Sequence, residues 1–363
     1  MGLNKFIHEA MSEWMRGEGP ESDIVISSRV RIARNLAGHP FPMLATTIQA
    51  EQVLADVKAI VHPMNEHRSE SEKLAWIQMA DLDDLQQQVL VEKHLISPNL
   101  LKDGRKSAVL LSENEAVSVM VNEEDHLRIQ CLYPGLQVKE AWQQANEIDD
   151  LLEARLDYAF DEHRGYLTSC PTNVGTGIRA SVMLHLPALV MTKQMSRILT
   201  AITQVGLAVR GIYGEGSEAV GNLFQISNQI TLGQTEMEII DNLLGVVVQI
   251  IEHERAAREM LVRDSKVRIQ DKVQRSYGVL SHAAIMDSKE AAGRLSDVRL
   301  GIDMKLIAGV SAGILNELMV MTQPAFLQQY FQEKLSPDER DIRRAQMIRE
   351  RMQQTKSNGG ASL

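Results

Sequence analysis

The stretch Ser169-Cys170-Pro171-Thr172-Asn173-Val174-Gly175-Thr176-Gly177 decides how this chain is read. It does not stand alone. Upstream lie Ser27-Ser28-Arg29-Val30-Arg31 and Val121-Asn122-Glu123-Glu124-Asp125-His126-Leu127-Arg128, and downstream lies Arg210-Gly211-Ile212-Tyr213-Gly214-Glu215. Arg29, Arg31, Arg128, Arg179 and Arg210 fall in or beside these segments, in a protein whose formal net charge is -10. Arginine stays protonated, and its planar fork of donors fits phosphate oxygens two at a time. Several converging on one cleft make a polyphosphate site.

Any one of these arginines alone reads as a solvated surface charge. The local setting argues otherwise. Arg29-Val30-Arg31 and Leu127-Arg128-Ile129 alternate charged and apolar residues as strands do. Arg179 is expected to open a helix, Ile178 to Leu186, directly after the glycine turn, where free backbone N–H groups also favour anions.

The carboxylates carry the other half of the chemistry. Glu124 lies in an acidic triplet at a strand end, and Glu215 in a loop with Gly211, Gly214, Gly216 and Gly221, a composition suited to a mobile flap. A guanidinium is protonated at neutral pH and is a poor nucleophile. Two carboxylates that grip its N–H groups in plane aim one nitrogen at a γ-phosphorus and take up the proton as the N–P bond forms. Read alone, Glu123 to Asp125 is an exposed acidic turn. Beside Arg128 and the other segments it becomes a candidate catalytic turn.

With 363 residues, 44% hydrophobic and 24% charged, the chain has the composition of a globular protein with room for two domains. Its negative charge argues against a general nucleic-acid or anionic-membrane surface. The best apolar run, Ile239 to Ile251, contains Asp241, Asn242 and Gln249 and is unsuited to a bilayer. The N-terminus lacks a signal-peptide pattern, and two cysteines, Cys131 and Cys170, cannot build a disulfide framework. A cytoplasmic protein is expected. There is no G-x-x-x-x-G-K-[ST] and no H-R-D or D-F-G motif, so bound ATP must be held by arginines.

Strands are expected at Ile24 to Ile32, Ser107 to Leu111, Ala116 to Val121, Leu127 to Tyr133 and Leu207 to Arg210. Helices are expected at Thr47 to Val61, Val138 to Phe160 and Lys193 to Thr203. Adjacent strands with separately clustered helices favour an antiparallel α+β domain. Beyond about residue 255 the pattern is helical throughout, which divides the chain into a catalytic domain, 1–255, and an all-helical C-terminal domain, 256–363. Lys356 to Leu363 reads as a frayed polar tail. Cys131 and Trp14, Trp76 and Trp142 are expected to be scaffold.

In this order and at these separations the four segments resemble the catalytic core of the phosphagen kinases, the ATP:guanidino phosphotransferases. The resemblance implies their phosphagen-kinase/glutamine-synthetase-like α+β fold, an antiparallel sheet flanked by helices. It also implies phosphoryl transfer from ATP, with Mg2+, to a guanidinium. Carried over residue by residue, it assigns Ser27, Ser28, Arg29, Val30, Arg31, His94 and Arg128 to the nucleotide. It adds Arg179, Ala180, Ser181, Val182 and Met183, then Arg210, Gly211, Ile212, Tyr213 and Gly214. Glu124 and Glu215 fall to the guanidinium, Cys170 to a neighbouring, electrostatically coupled position, and Glu123 to a water on magnesium, with no direct protein ligand to the metal. A thiol beside so many arginines is expected to ionise readily.

Departures from the small-substrate enzymes narrow the resemblance. Their helical N-terminal domain of about a hundred residues is missing, since the first arginine motif here begins at residue 27, and helices are added at the C-terminus. Met183 stands where those enzymes have a histidine near adenine, and Gln225 where they have an aspartate near ribose. This combination is similar to the bacterial protein-arginine kinases of the McsB type. Ser336-Pro337-Asp338-Glu339 is a helix start, and Arg340-Asp341-Ile342-Arg343-Arg344-Ala345 matches the RDxxRA motif of that branch. The motif implies a phosphoarginine pocket from Arg340, Asp341 and Arg344, allied to regulation and a homodimer. Charge pattern alone gives a solvated basic helix. Implied partners are proteins with an exposed arginine, a zinc-binding activator adaptor, a Clp-type protease and a heat-shock repressor. Two other readings are a kinase for free arginine or another small guanidine, and a non-catalytic phosphoarginine-binding adaptor.

Overall fold

The computed structural model describes residues 3–66, 68–104, 106–211 and 219–359. Among the described residues ten strands are present: β1 (Val25–Arg34), β2 (Leu74–Gln78), β3 (Ala108–Ser112), β4 (Val117–Val121), β5 (Leu127–Pro134), β6 (Phe160–Asp161), β7 (Gly165–Tyr166), β8 (Ile178–His185), β9 (Leu207–Gly211) and β10 (Leu223–Asn228). The helices are α1 (Leu3–His8), α2 (Thr47–Asn65), α3 (Asp84–Glu92), α4 (Val138–Glu153), α5 (Pro187–Met191), α6 (Met195–Gln204), α7 (Glu236–His282), α8 (Ser288–Asp303), α9 (Ile314–Met321), α10 (Pro324–Phe331) and α11 (Pro337–Gly359). Eight strands form one sheet in the order β2-β3-β4-β5-β1-β8-β10-β9, every neighbour antiparallel. The α+β expectation is met.

The helix expected at Ile178 to Leu186 is instead β8, paired with β1 on one side and β10 on the other. The physical reason is visible in its residues. Arg179, Ser181 and Met183 alternate with Ala180, Val182 and Leu184, a period of two that buries one face and leaves the other polar. With its backbone paired in the ladder, Arg179 has its side chain and not a helix terminus to offer an anion. The helix from Val138 ends at Glu153, and Phe160 belongs to the short hairpin β6–β7. Strands β2 and β10 were not anticipated, and Lys356 to Gly359 continue α11 rather than fraying from it.

Residue 255 lies inside α7, which runs for 47 residues with a break in helical geometry at Ser265. A capping box of Thr235 and Glu238 fixes where this helix starts. All regular structure beyond α7 among the described residues is helical. Ser336 and Glu339 cap α11 as the Ser-Pro-Asp-Glu pattern predicts.

One face of the central strands, carrying Val30, Ile32, Ile129, Cys131, Ala180 and Val182, is buried in an apolar core with α4 and the first half of α7. A second core gathers Phe6, Trp14 and Met15 of the N-terminal lead, α3, and the helices from α8 onward. The opposite face of β5, β1 and β8 lies between these masses, and there the charged residues stand.

Candidate active site

Strand register builds the site. Arg31 is paired with Arg179 across β1–β8, Arg29 with Ser181, and Ser27 with Met183. On the other side Arg31 faces Gln130, and Ala33 faces Arg128. Gln225 on β10 sits opposite Met183 and, across β9, opposite Arg210. Directly opposed residues project from the same face, so Arg29, Arg31, Arg128, Arg179 and Arg210 share one side of the sheet. Val30, Ala180 and Val182 point into the core on the other side. Ser28 also turns away, donating to Gly135 O at 2.8 Å and accepting from Gln137 N at 2.9 Å. Of the residues assigned to the nucleotide, these four therefore turn their side chains away from the cleft, and their strands are paired on both sides.

The crowded cations lower one another. Burial and the fields of Arg128 and Arg179 bring Arg29 down to about 10, still a cation at neutral pH. Burial, then Arg29, Arg128 and Arg179, depress Arg31 further, with only Glu123 opposing. Arg31 Nε is buried with no hydrogen-bond partner. Burial followed by repulsion from Arg210 and Arg128 lowers Arg179. Such a face is short of negative charge. A polyphosphate would relieve the repulsion and use the idle donors, so the residues fit the group.

Glu123 is a carboxylate bonded directly to one of these arginines. Both its oxygens accept from Arg128 Nη1, at 2.7 and 2.6 Å, and it also accepts from Ser97 Oγ at 2.5 Å and Glu124 N at 2.9 Å. Burial alone would raise its pKa, but Arg128, Ser97 and the Glu124 amide outweigh that and lower it. In this structure Glu123 therefore orients Arg128. Glu124, next along, is half-buried with its pKa raised, first by burial and then by Asp125 and Glu123, against the pull of Arg128 and Arg179. A carboxylate shifted in this direction is a better proton acceptor.

The cleft is continuous. A cavity of about 260 Å³ is lined by Glu124, Asp125 and Cys170 together with Arg31, Arg128, Arg179 and Arg210. Arg31 and Arg128 also border a neighbouring cavity of about 280 Å³, which includes Arg29, His94, Ser97 and Gln323. Arg29 and His94 in turn border a small slot of about 10 Å³ with Trp14, Ser27, Ser181, Met183 and Gln225. One end thus presents carboxylate and thiol, the middle presents arginines, and the far end presents aromatic and thioether surface. Glu215, with Ile212, Tyr213 and Gly214, lies outside the described residues.

Several residues missed in the sequence hold this arrangement. Asn35 Nδ2 donates to Asp125 Oδ1 at 2.6 Å and to Leu167 O at 3.1 Å, while Asn35 Oδ1 accepts from His126 N at 2.9 Å. Asp125 Oδ1 also accepts from Ser169 N at 2.6 Å. This buried clamp ties the end of β1, the Glu124 turn and the Cys170 turn into one unit. Gly177 approaches the backbone so closely that a Cβ would lie 2.6 Å from Ala33 O, and at Gly175 it would collide with Thr231 O; both glycines have positive φ. Trp14, expected to be scaffold, is fully buried yet walls the far slot, edge-on to His94 at 5.6 Å. Burial, with Arg29 nearby, brings His94 down to about 4, so the ring is neutral. Nothing local in the sequence marks Asn35 or Trp14, because their partners lie far along the chain.

In α11, Arg344 is buried, donating to Thr322 O at 3.0 Å and Met286 O at 2.9 Å and pairing with Asp341. Met286 N returns a bond to Asp341 O at 3.1 Å. Arg344 thus secures α11 and holds the Asp341 carboxylate. Arg340 is half-buried and lies within electrostatic range of Glu92, whose carboxylate caps α10 through Ala325 N at 2.8 Å and Phe326 N at 2.7 Å.

Residues 56–257 match the family described as ATP:guanido phosphotransferase, C-terminal catalytic domain, and residues 266–362 match the Protein-arginine kinase McsB C-terminal domain. The chain belongs to the protein-arginine kinase branch of the ATP:guanido phosphotransferases. A curated relative from Brevibacillus brevis, named Protein-arginine kinase, is 60% identical over 98% of this chain and 99% of its own. Relatives of the same name from Bacillus subtilis and Geobacillus stearothermophilus are each 57% identical over 97% of this chain and 96% of theirs. Among solved structures, a lombricine kinase superposes with a TM-score of 0.56 at 22% identity, covering 70% of this chain and 75% of that one. The duplicated taurocyamine kinase from Schistosoma mansoni superposes at 0.57 with 21% identity, covering 75% of this chain and 39% of that one. At such identities these two show a shared fold. No helix among the described residues is long and apolar enough to cross a membrane.

Proposed function

We propose that this phosphotransferase moves the γ-phosphoryl group of ATP onto arginine side chains of proteins. The observation that carries the reading is the cleft itself, in which mutually repelling arginines, Arg31 with a buried Nε that has no partner, lie directly beside a carboxylate of raised pKa. Arg29, Arg31, Arg128, Arg179 and Arg210 would hold the phosphates and offset charge on the moving group, the main requirement of phosphoryl transfer. Glu124 orients the acceptor guanidinium and takes its proton as the N–P bond forms and the bond from the γ-phosphorus to the ADP oxygen breaks. Glu215 is assigned the second grip by resemblance, and Cys170 flanks the acceptor. Mg2+ would accompany the nucleotide and supply further charge neutralisation; by resemblance Glu123, which holds Arg128 here, would orient a water on it.

A protein acceptor is favoured over a small guanidine by the 57–60% identical relatives named Protein-arginine kinase. In α11, Arg340 and Asp341 are read as a phosphoarginine pocket, with Arg344 positioning Asp341 from behind. A cytoplasmic homodimer is part of the same reading. So are a zinc-binding activator, marking of clients for a Clp-type protease, and control of a heat-shock repressor; all rest on resemblance to the branch. Radiolabelled ATP offered with a protein acceptor or with free arginine tests the acceptor. Label on protein arginine is expected; label confined to free arginine gives the small-guanidine kinase, and none on either gives the adaptor.

A further inference from the structure

On the segment bonded to the Glu124 turn, three large apolar side chains stand in solvent within six residues: Met43 at 64%, Leu44 at 77% and Ile48 at 78% exposure. A single exposed apolar residue needs no explanation, but three together on an ordered segment do. The segment is held firmly. Leu44 N and Ala45 N both bond Phe41 O, and Thr46 and Gln49 form a capping box that starts α2. It is also tied directly to the Glu124 turn. Asn122 Nδ2 donates to Ala50 O at 2.9 Å. His126 Nδ1 accepts from Leu36 N at 3.0 Å, so Nε2 carries the proton and donates to Pro40 O at 3.0 Å.

A second such pair stands behind the Cys170 turn. Thr231 is buried and donates to Thr172 O at 2.9 Å and Val174 O at 2.7 Å, fixing the Cys170 turn from behind. Its neighbours Ile230 and Leu232 are 51% and 55% exposed. The Glu124–Cys170 cavity lies between the two turns that these apolar groups flank.

We propose that Met43, Leu44 and Ile48 beside the Glu124 turn, with Ile230 and Leu232 beside the Cys170 turn, form an apolar shelf for the extended chain on either side of the target arginine. The shelf would favour arginines with large apolar neighbours. This rests on the protein-acceptor reading above and deepens it. The bonds that fix both segments to turns lining the acceptor cavity select the occupant. An arginine side chain inserted toward Glu124 leaves its main chain at the cavity mouth, where residues on either side of it meet these surfaces. Free arginine has no neighbours to place there.

The test compares two seven-residue peptides with one central arginine and equal charge, flanked by leucines or by serines. Both are assayed with ATP on the full chain and on a Met43→Ser/Leu44→Ser/Ile48→Ser variant. Wild type is expected to show a KM about tenfold lower for the leucine peptide at similar kcat, as burial of one or two apolar side chains would give. The variant should lose that preference while keeping its KM for ATP. Ile230→Ser/Leu232→Ser supplies an independent second variant should the first fold poorly. Equal KM values in wild type, or a preference that survives in both variants, would overturn the shelf. A variant that turns a dimer into a monomer without altering the preference would overturn it too, assigning the surface to a second copy. No label on either peptide or on any protein would instead remove the protein-acceptor reading.

Discussion

Arginines gather on the β1–β5–β8 face and again in α11, yet their surroundings make them different instruments. On the sheet, Arg31 has a buried Nε without a partner and repelling neighbours on three sides. In α11, Arg344 is saturated by two backbone carbonyls and Asp341. The first is an unmet demand for anion and the second is a structural bolt. What an arginine does is set less by its sequence motif than by whether folding has already supplied its acceptors.

The sharpest way to break this contrast is at the acceptor. Glu124→Gln should lower phosphorylation about a hundredfold or more while ATP affinity, read by calorimetry, stays within a few-fold, because the lost charge acts on the guanidinium. Near-normal turnover would remove the proton-acceptor role.

A paired substitution probes the arginines themselves. Arg31→Met should weaken ATP binding by about 2 kcal/mol and leave the nucleotide-free protein as stable as before, since it removes a repelled charge. Arg344→Met should do the reverse, costing about 2 kcal/mol in urea unfolding through two orphaned carbonyls and a lone Asp341, with ATP affinity unchanged. If both variants shift the same quantity, the distinction between the two regions fails.

A subtler effect is expected at the clamp. Asn35→Leu should reduce kcat about tenfold, with a smaller change in ATP affinity, by loosening the Glu124 turn from the Cys170 turn. An unchanged kcat would show that the turns hold their geometry without it.

The smallest contrast is between the two cysteines. Cys131 is fully buried in a strand, and burial pushes its thiol far up; Cys170 is partly exposed at the cleft. A thiol alkylating reagent should label Cys170 several times faster than Cys131, and ATP should slow the reaction. Faster labelling of Cys131 would contradict the placement of both.

The arginines and the Glu124 turn were legible because their signals are local: alternation along β1 and β5, and an acidic triplet before a strand. The same alternation marks Arg179-Ala180-Ser181-Val182-Met183, but the glycines ahead of it suggested a helix start, and only pairing on both sides of β8 decides for the strand. Asn35 illustrates what was not legible, since its partners Asp125 and Leu167 are 90 and 132 residues away. Arg344 shows the same limit from the other direction. Its motif gave a binding role, whereas the carbonyls that occupy it come from Met286 and Thr322, which no helix pattern places beside it.

The central claim is that the phosphoryl group passes to arginine nitrogen under the hand of Glu124. The most direct test is the chemical lability of label from γ-labelled ATP on a protein acceptor, measured for wild type and Glu124→Gln. A phosphoramidate, lost in acid, durable at mild alkaline pH, mapped to arginine and nearly absent with the variant, is the predicted result. Acid-stable label on hydroxyl side chains, or arginine label undiminished in Glu124→Gln, would contradict it.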